Sequence, residues 1–211
     1  MAAILLTLAS LLAPGFAAAA DKPVKIVVLG DSLSAGFGLP VENAFPTKLG
    51  AALKAKGIAA EVINAGVSGD TASGGLGRVD WSVPDGTDAV LLELGANDAL
   101  RGVSPDVTKK ALVGILRKLK SRDIPVLLAG MLAPPNMGAE YARNFDAIYP
   151  ALAKEHGAVF YPFFLDGVAT DAKLNQGDGL HPNVAGVEII VERILPRVEE
   201  LIGRVKTARG S

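Results

Sequence analysis

The sequence has no cysteine, only two histidines in 211 residues, and an aromatic content of 5%. Without cysteine there is no disulfide, no thiolate nucleophile and no Cys-ligated metal, and two histidines leave little scope for a His-based metal site. Covalent chemistry, if any, must start from another side chain. Net charge is also scarce: 21 Lys+Arg against 22 Asp+Glu leaves −1. No basic run tracks along the chain, so nucleic acid is not expected as a partner. The apolar stretch Ile4 to Leu12 is too short to span a bilayer as a helix. It is followed by a Pro14-Gly15 break and the small residues Ala17 to Ala20 before Asp21. That order is the order of a cleavable export leader. It predicts a signal peptide over residues 1–20, a periplasmic or secreted protein, and no stable membrane insertion of the mature domain. One departure is the lack of any Lys or Arg ahead of the apolar run.

Hydrophobic residues are plentiful, at 50% of the chain, enough for one domain with a substantial core over residues 21–211. Apolar, β-branched-rich runs recur at Val24–Leu29, Glu61–Asn64, Ala89–Leu94, Ile124–Ala129 and Ala158–Tyr161. The segments between them are long enough for helices. Leu112, Ile115, Leu116 and Leu119, and again Val187, Ile190, Val191 and Ile194, fall at i, i+3, i+4, i+7, one apolar stripe each. Ser104 and Pro105 read as the cap and first residue of a helix. Pro150 interrupts a helical pattern from Ala139 to Glu155, which predicts a kink or two short helices. Continuous apolar strands alternating with amphipathic helices indicate an α/β fold, a three-layer sandwich around a five-stranded parallel sheet.

In such a sheet, segments leaving the carboxyl ends of the strands share one rim, where ligands bind. Gly30-Asp31-Ser32 follows the first strand, Gly66-Val67-Ser68-Gly69-Asp70 the second, and Gly95-Ala96-Asn97-Asp98 the third. Asp178-Gly179-Leu180-His181-Pro182 lies in the long loop after the fifth. A serine hydroxyl needs a base to take its proton and a third group to orient that base. His156 closes a helix just before the fifth strand, which puts it at the opposite edge. His181 lies on the rim, three residues beyond an aspartate, so elimination leaves Ser32, His181 and Asp178. Donors for a tetrahedral oxyanion are available in the backbone N–H of Ser32, the backbone N–H of Gly66 and the amide of Asn97.

Each residue also has a plainer reading. Ser32 could only cap a helix, Gly66 only permit a turn and Asn97 only close a loop. Asp70 reads as the N-cap of the segment starting at Thr71, and His156 as a solvent-exposed or helix C-terminal residue without a catalytic task. Tyr141, Phe145, Phe163 and Phe164 read as core aromatics, or else as the lining of an acyl pocket or a sugar platform. Independent turns, however, have no reason to deliver complementary groups to one edge. An α/β-hydrolase would place G-x-S-x-G around its serine, and Gly30-Asp31-Ser32-Leu33-Ser34 is not that. A flavodoxin-like nucleotide or flavin binder would want a phosphate-cradling loop, of which Gly36 and Gly38 supply only a fragment.

Gly30-Asp31-Ser32-Leu33-Ser34, Gly66, Gly95-Ala96-Asn97-Asp98 and Asp178-Gly179-Leu180-His181-Pro182 resemble, in order and placement, the four blocks of the GDSL or SGNH hydrolases. The residues that name that family would here be Ser32, Gly66, Asn97 and His181. "ELGANDALRG" and "NAGVSGDTASGGLGR" are most similar to its bacterial periplasmic arylesterases, acyl-thioesterases and lysophospholipases. The resemblance implies a flavodoxin-like sheet and a serine acyl-enzyme mechanism with no metal or organic cofactor. It also implies short- to medium-chain acyl esters and thioesters as substrates, with the Met131–Gly138 loop helping to line the acyl side. A carbohydrate O-acetylesterase on the same fold is the alternative.

Overall fold

The five apolar runs form parallel strands in a computed structural model that describes residues 22–210: β1 (Val24–Gly30), β2 (Ala60–Gly66), β3 (Ala89–Glu93), β4 (Val126–Ala129) and β5 (Val159–Tyr161). Their order across the sheet is β2-β1-β3-β4-β5, every pairing parallel. This is the flavodoxin-like order, and its switch point, where the winding reverses, lies between β1 and β3. In register, Gly30 lies between Gly66 and Glu93. The turns that carry the first three polar blocks therefore leave the sheet side by side.

Burial follows position in the sheet. β3 and β4 are buried at every residue and β1 at all but Lys25, as expected of strands covered on both faces. The edge strand β2 is half-covered along its length. One helical layer comprises α2 (Phe45–Ala55) and α8 (Val184–Gly210), packed on each other; the other contains α3 (Ala72–Ser82), α5 (Pro105–Lys120) and α7 (Ile148–His156). Leu112, Ile115, Leu116 and Leu119 of α5, and Val187, Ile190, Val191 and Ile194 of α8, are all buried, so both predicted stripes face the core.

The segment around Pro150 is two helices, α6 (Ala139–Asp146) and α7, which meet at Ala147. Pro150 falls in the first turn of α7, where its missing N–H is tolerated; its ring would clash with the carbonyl of Asp146 if α6 continued. Pro196 lies inside α8 without ending it, because Ile194, Val198 and Leu201 are buried on either side of it. Ser104 occupies the cap of α5, but its side chain makes no capping hydrogen bond. Asp70 does not cap α3. Thr71 does, accepting from the Gly74 N–H at 3.2 Å, which leaves Asp70 to pair with Arg78 at 2.7 Å.

Two of the four candidate aromatics are buried core: Phe145 lies against Tyr141 and Tyr149, and Phe164 meets Phe45 edge to face. Tyr141 donates its hydroxyl to the Val103 carbonyl, and Phe163 packs partly buried against the core. The leader reading of residues 1–20 lies outside the described residues. Among those described, no helix is long and apolar enough to cross a membrane.

Candidate active site

β1 ends at Gly30 and a short helix, α1 (Ser32–Ala35), begins almost at once. Asp31 caps it, accepting from the Leu33 N–H at 2.9 Å. Ser32 is thus the first residue of a helix that starts on the sheet's carboxyl edge, and its backbone N–H has no acceptor within the helix. Arg78 of α3 braces this corner from beneath. It is 6% exposed and donates through Nη2 to the Gly30 carbonyl at 2.8 Å and through Nη1 to the Ala65 carbonyl at 2.7 Å. One guanidinium therefore ties together the ends of β1 and β2.

The loop after β5 returns over this edge. Asp178 Oδ1 accepts from the Leu180 and His181 backbone N–H groups at 2.9 and 3.0 Å, which folds the segment so that Oδ2 faces His181 Nδ1 at 2.6 Å. His181 Nε2 then lies 2.9 Å from Ser32 Oγ. The two backbone N–H bonds, with the imidazole beside them, hold the Asp178 carboxyl down at about 2. It is a carboxylate wherever a neutral histidine is useful as a base. Gln176 secures the loop: its N–H donates to the His181 carbonyl at 2.7 Å, and its Nε2 donates to the carbonyls of Phe37 at 2.7 Å and Pro182 at 3.0 Å. The Phe37 ring lies 4.6 Å from the His181 ring, centroid to centroid.

The oxyanion candidates are placed on the same corner but are not idle. Gly66 fits so closely over α1 that a Cβ would stand 2.4 Å from the Ala35 nitrogen and 2.8 Å from the Asp31 carbonyl oxygen, which is why only glycine serves there. Its N–H donates to Asn64 Oδ1 at 3.0 Å. Asn97 lies in α4 (Ala96–Leu100), which starts from Gly95 at φ 118°. A side chain on Gly95 would stand 2.0 Å from Tyr149 Oη. The Asn97 amide donates to Asp31 Oδ2 at 3.0 Å, and it has a second N–H to offer.

Sequence reasoning missed what lies behind Ser32. Glu93, last residue of β3, is fully buried. Its Oε2 accepts from Ser34 Oγ at 2.6 Å and from the Asp31 N–H at 3.3 Å, while Oε1 has no partner. The signal was present as a single acidic residue closing an otherwise apolar strand. His156 is at the opposite edge as expected, closing α7, but it is mostly covered, with its side chain 10% exposed. Among the described residues no group of three or more His, Cys, Asp or Glu is placed to hold a metal. A cleft of about 460 Å³ lined by Ser104, Lys109, Asn144 and Ile148 includes none of the site residues. Convergence of polar groups marks this site.

A serine, a histidine and an aspartate in hydrogen-bonded sequence at the switch point of an open parallel sheet define a serine hydrolase. Residues 28–189 match the model of the GDSL-like lipase/acylhydrolase family, and the chain belongs to that family. It is 42% identical over 166 residues to an arylesterase of Vibrio mimicus, covering 78% of this chain and 83% of that one. It is 37% identical over 187 residues to thioesterase 1/protease 1/lysophospholipase L1 of Escherichia coli K12, covering 88% and 87%. Among solved structures, AlinE4, an SGNH-hydrolase family esterase, superposes with a TM-score of 0.72 at 47% identity, over 85% of this chain and 96% of that one. The protein is a serine esterase, a carboxylic ester hydrolase.

Proposed function

We propose that this esterase cleaves short- to medium-chain aryl esters and acyl thioesters through an acyl-enzyme on Ser32. The observation that carries the reading is the unbroken chain from Ser32 Oγ to His181 Nε2, 2.9 Å, and from His181 Nδ1 to Asp178 Oδ2, 2.6 Å. Ser32 Oγ attacks the carbonyl carbon while His181 Nε2 takes its proton. Asp178 holds the Nδ1–H tautomer and stabilises the imidazolium that forms. The new oxyanion is met by the Ser32 N–H, by the free N–H of the Asn97 amide and by the Gly66 N–H, which exchanges Asn64 Oδ1 for it. Collapse expels the alcohol or thiol, protonated by His181, and water then repeats the sequence in reverse to release the acid and regenerate Ser32.

Half-exposed apolar side chains next to the site residues support acyl and aryl groups over sugars. Phe37, Val67 and Leu180 are each 44–50% exposed. Val67 and Leu180 adjoin Gly66 and His181 in sequence, and the Phe37 ring lies against that of His181; the reading of the Met131–Gly138 loop as part of the acyl side rests on the family resemblance, with Leu132 half-exposed on it. The leader-like order of residues 1–20 supports export to the periplasm or beyond with cleavage before Asp21; N-terminal sequencing of exported material that finds Met1 intact overturns the cleavage.

Ser32→Ala tests the chemistry. Hydrolysis of p-nitrophenyl acetate is expected to fall by about a millionfold in kcat, with the melting temperature retained because the change is one oxygen. Activity within tenfold of the parent removes Ser32 from its role. A panel of aryl acetates, acyl-CoA esters and acetylated xylan tests the substrate class. Turnover of the xylan without turnover of the aryl acetates would replace this reading with carbohydrate O-deacetylation.

A further inference from the structure

The corner behind Ser32 holds two carboxyl groups that the catalytic sequence above does not use. Asp31 and Glu93 are both withdrawn from water, and Glu93 receives the Asp31 N–H and the Ser34 hydroxyl on one oxygen while its other oxygen has no partner. An orphaned oxygen on a buried carboxylate is far costlier than on a neutral acid. Burial, reinforced by the charge of Asp31, pushes the Glu93 carboxyl well above its ordinary range. Two buried carboxyls this close do not both ionise readily. Glu93 is therefore the member of the pair that holds its proton more firmly, and Asp31 the one that ionises first.

Asp31 uses its two oxygens for different tasks. Oδ1 caps α1 through the Leu33 N–H at 2.9 Å, and Oδ2 accepts from Asn97 Nδ2 at 3.0 Å across 66 residues of sequence. An amide group turns about its last torsion with little restraint, so a fixed acceptor for one N–H decides where the other points. We infer that Asp31 is a positioning residue for the reaction: its carboxylate grips one N–H of Asn97 and thereby aims the second at the developing oxyanion. The inference rests on the oxyanion role proposed for Asn97. Charge makes the grip stronger than a neutral acceptor would. It also tightens as the substrate carbonyl gains charge and draws on the same amide, since linked hydrogen bonds polarise one another.

The groups facing Asp31 from its surroundings are Glu93 on β3, Asp70 after β2 with Arg78 of α3 paired to it, and His181 above; the last lowers and Asp70 raises its carboxyl. Burial outweighs them, and Asp31 is pushed up to about 6. The arrangement thus sets a buried charge beside the nucleophile at a cost in stability, which a purely structural cap would not require.

Asp31→Asn separates the two tasks. Asparagine is an equally good cap, so the Leu33 bond is kept, but the new amide presents N–H to N–H at Asn97. The expected result is a loss of about 10- to 100-fold in kcat for p-nitrophenyl acetate, less than the 10²- to 10³-fold that follows removal of a donor outright. KM is expected to stay within about threefold, because the ground-state carbonyl draws weakly on the amide, and melting at pH 8 to occur no lower than in the parent. In an Asn97→Ala background the same substitution is expected to cost less than about threefold, since nothing remains to be aimed. Parent-like kcat in Asp31→Asn, or an undiminished loss in the Asn97→Ala background, overturns the inference while leaving the oxyanion reading intact. Unchanged kcat in Asn97→Ala alone overturns the oxyanion reading itself, and the inference with it. Should Asp31→Asn fail to fold, Asp31→Ser, which can cap α1 but is too short to reach Asn97, is measured in its place with the same expectations.

Discussion

The two histidines occupy opposite ends of one parallel sheet, and the difference between them is a difference of partners. His181, on the carboxyl edge, has a carboxylate 2.6 Å from one ring nitrogen and a serine hydroxyl 2.9 Å from the other. His156, on the amino edge, has its Nε2 buried with no hydrogen-bond partner, and its nearest acidic oxygen, on Glu155, is 3.8 Å away. The His156 side chain is 10% exposed and that of His181 is 19% exposed, so burial does not separate them. A base needs an orienting acceptor on one nitrogen and a proton donor on the other. Only the edge where strands end and loops converge supplies both, because four loops from distant parts of the chain meet there and none needs to continue the sheet.

The harshest test of the comparison is to remove each imidazole in turn. His181→Ala is expected to lower kcat by about a millionfold, as loss of a triad base does, whereas His156→Gln should leave kcat within about twofold. Steady-state assays on one aryl ester measure both, and equal losses would dissolve the distinction between the two edges.

Next in size is Asn97→Ala, which removes one donor and should cost about 10²- to 10³-fold in kcat, roughly 2.7–4 kcal/mol. KM should hardly move, and a fluorophosphonate should still label Ser32, more slowly. A sharp fall in melting temperature with kcat of the folded fraction unchanged would make Asn97 a loop residue only.

Smaller effects should appear in stability against pH, and the two site aspartates should act in opposite directions. Asp178, lowered to about 2 from 3.8, stabilises the fold above the unfolded value, and that contribution is lost as pH falls through the native one. Asp31, raised to about 6, contributes fully below pH 3.8 and loses that contribution as pH rises through 6. The Asp31 change amounts to on the order of 3 kcal/mol. Denaturant unfolding between pH 4 and 8 should therefore show Asp31→Asn gaining on the parent as pH rises. A constant difference across that range would mean that Asp31 binds protons alike in the folded and unfolded chain, so that burial does not raise its carboxyl.

The strands and the two amphipathic stripes were legible because burial imposes a period on local sequence, and period is visible without a fold. The hydrogen-bonded Ser32, His181 and Asp178 were legible for a narrower reason. A chain with two histidines, one of them placed before a strand and the other after, leaves one base for a serine at a strand's end. Asp70 misled because capping by Asp and by Thr look alike in sequence, and only the position of Arg78 decides which neighbour is otherwise engaged. The burial of His156 and the bond from the Gly66 N–H to Asn64 were likewise not readable, since both depend on what packs above them.

What the sequence determined by itself was the α/β alternation, the strand ends and the chemical identity of the groups delivered there, all consequences of local pattern and of which residues can do acyl transfer. Tertiary structure alone decided the strand order that puts β1 beside β3, and with it the meeting of Asp31, Glu93 and Asn97 behind Ser32. Glu93 in sequence is one acidic residue at the end of an apolar strand. Its firmer hold on a proton arises from loss of water and from the nearness of Asp31, 62 residues away, and neither distance nor desolvation is written in the order of residues.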